Sequence, residues 1–427
     1  MESQVISAFK ERFHDDPTFL VKAPGRASVL SIHTDYNGYP VLAFAISRHV
    51  LLAGSAHSQL HISHANTTKY KQEYIADTNT EFDFSKMCWY SYIHCGLRAA
   101  NCRSGLRMCI DGNIPPGAGL SSSSALVVAG ALAGFRFKSE SPSKDEIADI
   151  CCKTERLIGT QGGGMDQAAC LLSAPGSALH VDFDPLNVRK FALPQDCSFI
   201  IADSCTVKEK ALSPEYNTRV SECRLGCLML AHASGIDDFH KFSRLSALQK
   251  KLELPFNQFR EFAELNLRKA PYSKNDILNV IGENAYFIDG VENYYLQQRC
   301  IHVISEAERT ERFYKICNST FSENTLNELA NLFNASQSSA RDLYECSCPE
   351  IDELCSVALH AGALGAHLTG AGWGGCVLIL ANKAKIDEVM EKIKSEFYMA
   401  NDHRRQLVSN QTLFAVSPSD GASIIDL

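Results

Sequence analysis

A chain of 427 residues has room for two or three domains with real cores, and 45% apolar with 21% charged residues excludes the disordered and fibrous classes. Its 41 basic and 49 acidic side chains leave a formal charge of -8 with the signs interspersed, which disfavours nucleic acid or an anionic membrane as partner. The first residues carry charges and no apolar core before a small-residue cleavage site, and the longest mostly apolar stretch, Leu126 to Phe135, is about half of the ~20 residues that cross a bilayer. A cytoplasmic protein is expected. Its 17 cysteines include no pair of CxxC elements, so reduced thiols are expected rather than a zinc site.

In chain order, Phe19–Lys22, Val41–Ile46 and Arg107–Asp111 read as strands, and Trp89–Ala100 and Ser122–Phe137 as helices. Ser143-Lys-Asp-Glu146 is a capping box, followed at helical spacing by Ile147, Ile150, Cys151, Thr154, Leu157 and Ile158. That helix runs into Gly159, where Gln161-Gly-Gly-Gly164 permits a tight turn. A buried strand at Ser198–Asp203 opens a mostly helical half, with helices at Tyr216–His232, Glu292–Glu308, Thr325–Tyr344 and Ile351–Ala361. Two late strands, Cys376–Leu380 and Thr412–Val416, flank a charged helix near Lys383–Phe397. The pattern is mixed α+β, with domains at 1–193 and 194–427.

Four glycine-containing segments could carry chemistry. Asn113-Ile-Pro-Pro-Gly-Ala-Gly-Leu-Ser-Ser-Ser-Ser124 joins a strand to an apolar helix. Gly117 and Gly119 admit close backbone approach, the serines offer hydroxyls, and the helix start presents unpaired N–H groups, the parts of a phosphate cradle. No lysine follows, so it is not a Walker A loop, and a plain connector has the same composition. Gly162-Gly-Gly-Met-Asp-Gln167 holds an acid after the helix carrying Glu155. Asp166 there could take a proton from a hydroxyl or simply cap a helix, and Glu155 is either solvated or close to Mg2+. In Lys22-Ala-Pro-Gly-Arg26 and His33-Thr-Asp-Tyr-Asn-Gly38, Asp35 suits vicinal hydroxyls and Arg26 suits a transferred phosphoryl, with a surface turn as the alternative. Leu368-Thr-Gly-Ala-Gly-Trp-Gly-Gly-Cys376 is a second glycine-rich loop that favours ligand contact over a bulge. His61, His64 and the other histidines form no ligand set and read as structural.

The wording of Asp111-Gly-Asn-Ile-Pro-Pro, Gly159-Thr-Gln-Gly-Gly-Gly-Met-Asp-Gln, Tyr216-Asn-Thr-Arg-Val-Ser-Glu-Cys-Arg-Leu, Tyr344-Glu-Cys-Ser-Cys-Pro-Glu and Leu368 to Cys376, in this order, resembles the galactokinase and N-acetylgalactosamine kinase branch of the GHMP small-metabolite kinases. The likeness runs nearly the whole chain. It implies an α+β, two-lobed GHMP-kinase-like fold with the active site between N- and C-terminal domains. It also implies transfer of the γ-phosphoryl of ATP to the anomeric C1 hydroxyl of galactose or N-acetylgalactosamine. Carried over by residue, Asp166 is the catalytic carboxylate and Arg26 its charge partner. His33, Asp35, Gly163 and Tyr216 are sugar contacts. Gly117, Ala118, Gly119, Leu120, Ser121, Ser122 and Ser123 wrap the phosphates of ATP, Trp89 lies near the adenine, and Ser123 and Glu155 hold Mg2+. The implied partner is a small sugar, with no nucleic acid and no membrane, and the implied state is a monomer.

The chain departs from the family mainly at Gly25-Arg-Ala-Ser-Val-Leu-Ser-Ile-His-Thr-Asp-Tyr36, where relatives read Gly-Arg-Val-Asn-Leu-Ile-Gly-Glu-His-Thr-Asp-Tyr. Ala27, Ser28, Ser31 and Ile32 break the pattern, and Ile32 stands where a glutamate meets the sugar's outer hydroxyls. Gln337 replaces a histidine. Tyr216 points towards galactose and the wider wording towards the N-acetylated sugar. The alternative is a regulatory sensor that binds sugar and ATP with little or no turnover; its mark is a damaged phosphate loop or catalytic Asp, and here Ser121 to Ala125 and Asp166 are intact.

Overall fold

The strand that begins at Phe19 extends to Leu30, and every residue along it except Lys22 is fully buried. Its second half, Ala23 to Ser28, is small, turn-prone and polar, which is why the sequence suggests a shorter strand; burial by neighbours keeps it extended. The computed structural model describes residues 1–427 except 78, 79, 104, 160, 161, 184, 207–213 and 323. Within it the chain packs as two units, one of Met1–Ala27, Phe44–Ala178 and Val416–Leu427 and the other of Ser28–Ala43 and Leu179–Ala415.

In the first unit the strand order is Ser423–Asp426, Phe19–Leu30, Val41–Ala56, Leu106–Gly112, Leu60–His64 and Tyr74–Ala76. The pairing of His61 with Arg107 and Ile62 with Met108 is parallel, while Val50–Ala56 runs antiparallel to Leu106–Gly112. Helices Ser91–Ala99, Ser122–Phe137, Lys144–Glu155 and Met165–Leu172 pack against one another. A side chain at Gly130 would lie 2.6 Å from the carbonyl of Ile93, and one at Gly96 would run into that of Val127, so the first two helices meet backbone to backbone. This close crossing suits the nearly all-apolar face-to-face burial of Ser122–Phe137. The capping box is formed, with the Ser143 hydroxyl accepting from the Glu146 amide, and the helix ends through a short 3-10 turn at Gly159, φ 90°. The turn expected from Gln161 starts outside the described residues, and Gly164, φ 110°, closes it. An additional N-terminal helix, Glu2–Phe13, buries Val5, Phe9 and Phe13 at every fourth position against Leu20, Leu51, Ala53 and Cys109.

The second unit holds a four-stranded sheet ordered Gly365–Leu368, Cys376–Asn382, Cys197–Asp203 and Leu413–Val416. Cys376 pairs with Asp203 and Leu380 with Phe199, antiparallel. The helix Leu296–Cys317 contacts Pro214–Ala233, Phe256–Asn266 and Thr325–Ser339. It begins later than its periodicity suggests because Asn293 and Tyr294 pair with Ser273 and Tyr272. Ser28–Ala43 is threaded into this core, where Ile32, Tyr36 and Tyr39 are buried. Among the described residues no disulfide joins any of the cysteines, and no helix is long and apolar enough to cross a membrane.

Candidate active site

On the first unit the segment before helix Ser122–Phe137 takes left-handed backbone at Gly117, φ 71°, Gly119, φ 74°, and Ser121, φ 56°. Glycine adopts this without cost, whereas Ser121 does so under strain. Among the described residues the helix opens with no side-chain cap, so its first N–H groups have no side-chain acceptor there, and the buried Ser121 hydroxyl has no hydrogen-bond partner. Orphaned donors at a positive helix end fit an anion rich in acceptor oxygens. Ala118 and Leu120 are buried, so their side chains are core and only their backbone can serve a ligand.

Arg26 locks this loop to the carboxylate expected to act. Its Nε donates to Asp166 Oδ1 at 2.7 Å, its Nη1 donates to the carbonyl of Gly119 at 2.6 Å, and its amide donates to the carbonyl of Leu120 at 3.1 Å. A Cβ at Gly25 would stand 2.8 Å from that same Leu120 oxygen, so only glycine lets the strand pass this close. Asp166 lies in the first turn of Met165–Leu172, where the helix dipole favours a negative charge. Gly163 sits in the approach to this helix, after Gly162, whose carbonyl accepts from Arg156 at 3.2 Å.

Glu155, 5% exposed, accepts from the Ser124 hydroxyl at 2.8 Å and from the Gln167 amide. The carboxylate therefore ties together the loop helix, its own helix and the helix of Asp166. Ser124 and Gln167 are the partners that sequence reasoning missed, because neither stands out from the serine run or the Asp motif. Among the described residues no group of three or more His, Cys, Asp or Glu could enclose a metal. One buried carboxylate beside serine hydroxyls fits Mg2+ delivered on phosphates, since that ion keeps waters and phosphate oxygens and needs few protein ligands.

Trp89 is half-buried, and its indole N–H donates to the carbonyl of Gln72 at 3.0 Å. Its ring meets His64 at 5.3 Å and Tyr70 at 5.8 Å, which stack on each other at 4.1 Å. Burial pushes the His64 imidazole down to about 4, with Lys69 adding to that and Asp111 opposing it, so the ring is neutral at neutral pH. His64 thus joins an aromatic wall that the sequence reading left out.

On the second unit His33 takes a left-handed backbone, φ 61°, just before the short turn Asp35–Asn37. His33 Nε2 lies 2.9 Å from the carbonyl of Ala371, so that nitrogen carries the proton, and Nδ1 accepts from the Tyr36 hydroxyl at 2.8 Å. Tyr36 in turn meets the hydroxyl of Tyr344 at 2.6 Å. The His33 ring packs near Tyr216 at 5.5 Å, Tyr344 at 4.7 Å and Trp373 at 5.8 Å. His33, Asp35 and Tyr216 are thereby gathered on one unit, with the second glycine loop held to them through Ala371. Gln337 serves as a structural tie, accepting from the amide of Leu368 and donating to Ser347 and Asp352.

Comparison with known proteins identifies the family. The family model for the GHMP kinases N terminal domain matches residues 88–174, the GHMP kinases C terminal model matches 318–398, and the galactokinase galactose-binding signature matches 7–56. Over 96% of this chain and 91% of the relative, 31% of residues are identical to the galactokinase of Dictyostelium discoideum. The chain belongs to the galactokinase family of GHMP kinases. The Saccharomyces cerevisiae galactokinase is 29% identical over 92% of this chain and 88% of its own. The fold matches the Lactococcus lactis galactokinase crystallised with galactose at a TM-score of 0.78 over 99% of both chains, with 22% identity. A mevalonate kinase structure matches at 0.58 over 94% of this chain and 99% of its own. As a member of this family the protein is a sugar kinase that uses ATP as phosphoryl donor.

Proposed function

We propose that the protein transfers the γ-phosphoryl group of ATP to the C1 hydroxyl of galactose. The observation that carries this reading is the Asp166–Arg26–Gly119 connection, which fixes one carboxylate against a loop whose helix start has no side-chain cap and whose Ser121 hydroxyl has no partner among the described residues. In the reaction the hydroxyl oxygen attacks the γ-phosphorus, the bond to the β–γ bridging oxygen breaks, ADP leaves, and the hydroxyl proton passes to Asp166. Arg26 holds Asp166 in place through its Nε hydrogen bond and adds positive charge beside the loop assigned to phosphate. The backbone of 117–123 supplies N–H donors and Ser121 its unpaired hydroxyl. Trp89 offers an aromatic face for the adenine, with the stacked rings of His64 and Tyr70 set at an angle beside it. Ser123 and Glu155 would hold Mg2+, which supplies charge neutralisation on the phosphates. Asp35, His33, Gly163 and Tyr216 are assigned to the sugar, with Asp35 accepting from paired hydroxyls.

The test is ATP consumption measured across a panel of free hexoses and N-acetylhexosamines, with the product examined by phosphorus NMR. Turnover with galactose and a product phosphorus coupled to the anomeric proton is the expected result. Turnover confined to N-acetylgalactosamine would move the sugar assignment, and binding of both ligands without turnover would replace catalysis with sensing.

A further inference from the structure

The segment between the strand Phe19–Leu30 and the short turn Asp35–Asn37 is not itself a regular element. Ser31 and Ile32 present two consecutive amide N–H groups, and both donate to Glu306 Oε1, at 3.0 and 3.2 Å. The same oxygen accepts from the Ser336 hydroxyl at 2.8 Å, while Oε2 accepts from Arg309 Nε at 2.8 Å. Glu306 is fully buried and surrounded by donors. Burial opposes its charge, but Arg309, His302 and the hydrogen bonds outweigh that and hold the carboxyl at about 2. One turn earlier on the same helix, His302 donates from Nε2 to the carbonyl of Ile32 at 3.1 Å and accepts at Nδ1 from Ser339 at 2.8 Å. The Ile32 residue is therefore gripped at its N–H by Glu306 and at its C=O by His302, directly before His33. Ser31 stands in left-handed backbone, φ 88°, a conformation that a serine leaves unless something holds it.

We propose that Glu306, assisted by His302, is a positioning residue for sugar binding: its carboxylate clamps the Ser31–Ile32 amides and so presents His33 and Asp35 in one fixed conformation. This rests on the reading of that turn as sugar-contacting. It also gives Ile32 a meaning: its buried side chain packs into the core, and the acid acting at this position reaches the backbone from another helix.

Glu306→Gln tests the proposal sharply, because an amide in an all-donor environment must turn its NH2 either onto the Ser31, Ile32 and Ser336 donors or onto Arg309. Hydrogen exchange by mass spectrometry should show peptides covering 29–36 exchanging at least tenfold faster, with peptides of helix Ser122–Phe137 unchanged. In steady-state kinetics the galactose KM should rise about tenfold while the ATP KM stays within twofold. A merely structural role would lower the melting temperature and leave both KM values unchanged at temperatures well below it. Unchanged exchange at 29–36, a galactose KM that stays unchanged although Asp35→Asn raises it, or equal shifts in both KM values would overturn the proposal. If Glu306→Gln does not fold, His302→Gln, which releases the Ile32 carbonyl, is expected to move exchange and galactose KM in the same directions. Asp35→Asn separates the two levels. If it raises the galactose KM and Glu306→Gln does not, the clamp is refuted; if neither does, the sugar assignment of the turn falls instead.

Discussion

The turn from Ser28 to Asp35 and the loop from Gly117 to Ser123 both depend on backbone that non-glycine residues adopt with strain, at Ser31, His33 and Ser121. Their surroundings differ. Around the turn, buried side chains supply partners for successive backbone groups: Thr369 for the Ser28 amide, His367 for the Val29 carbonyl, and Glu306 and His302 for Ser31 and Ile32. Around the loop, among the described residues, the helix has no side-chain cap and a buried hydroxyl is left over. A segment whose donors already have acceptors holds its shape before any ligand arrives, whereas one with donors in excess is completed by what binds there. Under the proposed assignment, the turn would meet a neutral polyol with its shape already set, and the loop would take up charge.

The largest break in this comparison is expected at the loop's carboxylate. Asp166→Asn should lower kcat by about a hundredfold or more, since a positioned acid–base group contributes that much, with ATP affinity little changed. Turnover within tenfold of the unmodified protein would remove Asp166 from the proton path. Next in size is Gly119→Val. A β-branched residue at φ 74° cannot keep this backbone, and the carbonyl that holds Arg26 moves with it. Calorimetry should give ATP affinity reduced at least tenfold and galactose affinity preserved; equal ATP affinity would show that the loop does not wrap phosphates.

The turn side is sharpened by pH. Burial, seconded by the charge of Arg309, pushes His302 down to about 4 from an ordinary 6.5, so the unfolded chain takes up this proton before the folded one. The sign follows: stability is full above about pH 6.5 and falls as pH drops towards 4, by roughly 2 kcal/mol at pH 5 from this ring alone. Denaturant midpoints at pH 7 and pH 5 measure it, and His302→Gln should show the smaller loss between them. The smallest effect concerns Ser31→Gly, which restores the family's residue. Relief of left-handed strain is worth about 1 kcal/mol, but the Ser31 hydroxyl accepts from the Leu42 amide, which would be orphaned at a cost of about 1–3 kcal/mol. Net destabilisation of about 1 kcal/mol is expected; clear stabilisation in an unfolding titration would show that strain, not the hydrogen bond, dominates the turn.

Much of this was legible where the signal is local. The helix Ser122–Phe137 and the Ser143 capping box lie where the sequence puts them, because an apolar run and a capping serine each act within a few residues of themselves. Short strands such as Leu60–His64 and Ser177–Asp182 were not, since partners distant in sequence decide them. Within the site, the residues named by motifs were legible and their supports were not. Arg299, His302, Glu306 and Thr310 recur along one face of Leu296–Cys317, and a polar stripe of that kind reads as a solvated face. In the folded unit all four are buried, next to the apolar stripe of Cys300, Val303 and Ala307. Only the positions of Ser28–Ala43 and of Leu343 to Glu345, which Arg299 also grips, show why that stripe is polar.

The seventeen reduced thiols lend the molecule a natural record of its own opening. Twelve are buried and five half-buried. Burial raises Cys95 and Cys346 to about 12 and Cys109 and Cys223 to about 11, so near neutrality these sulfurs are neither ionised nor reachable. An alkylating reagent can then mark them only when the surrounding structure parts. Since Cys95 and Cys109 belong to one unit and Cys223 and Cys346 to the other, the order in which their peptides gain mass reports, without any added label, which unit loosens first and which of the two ligands holds it shut.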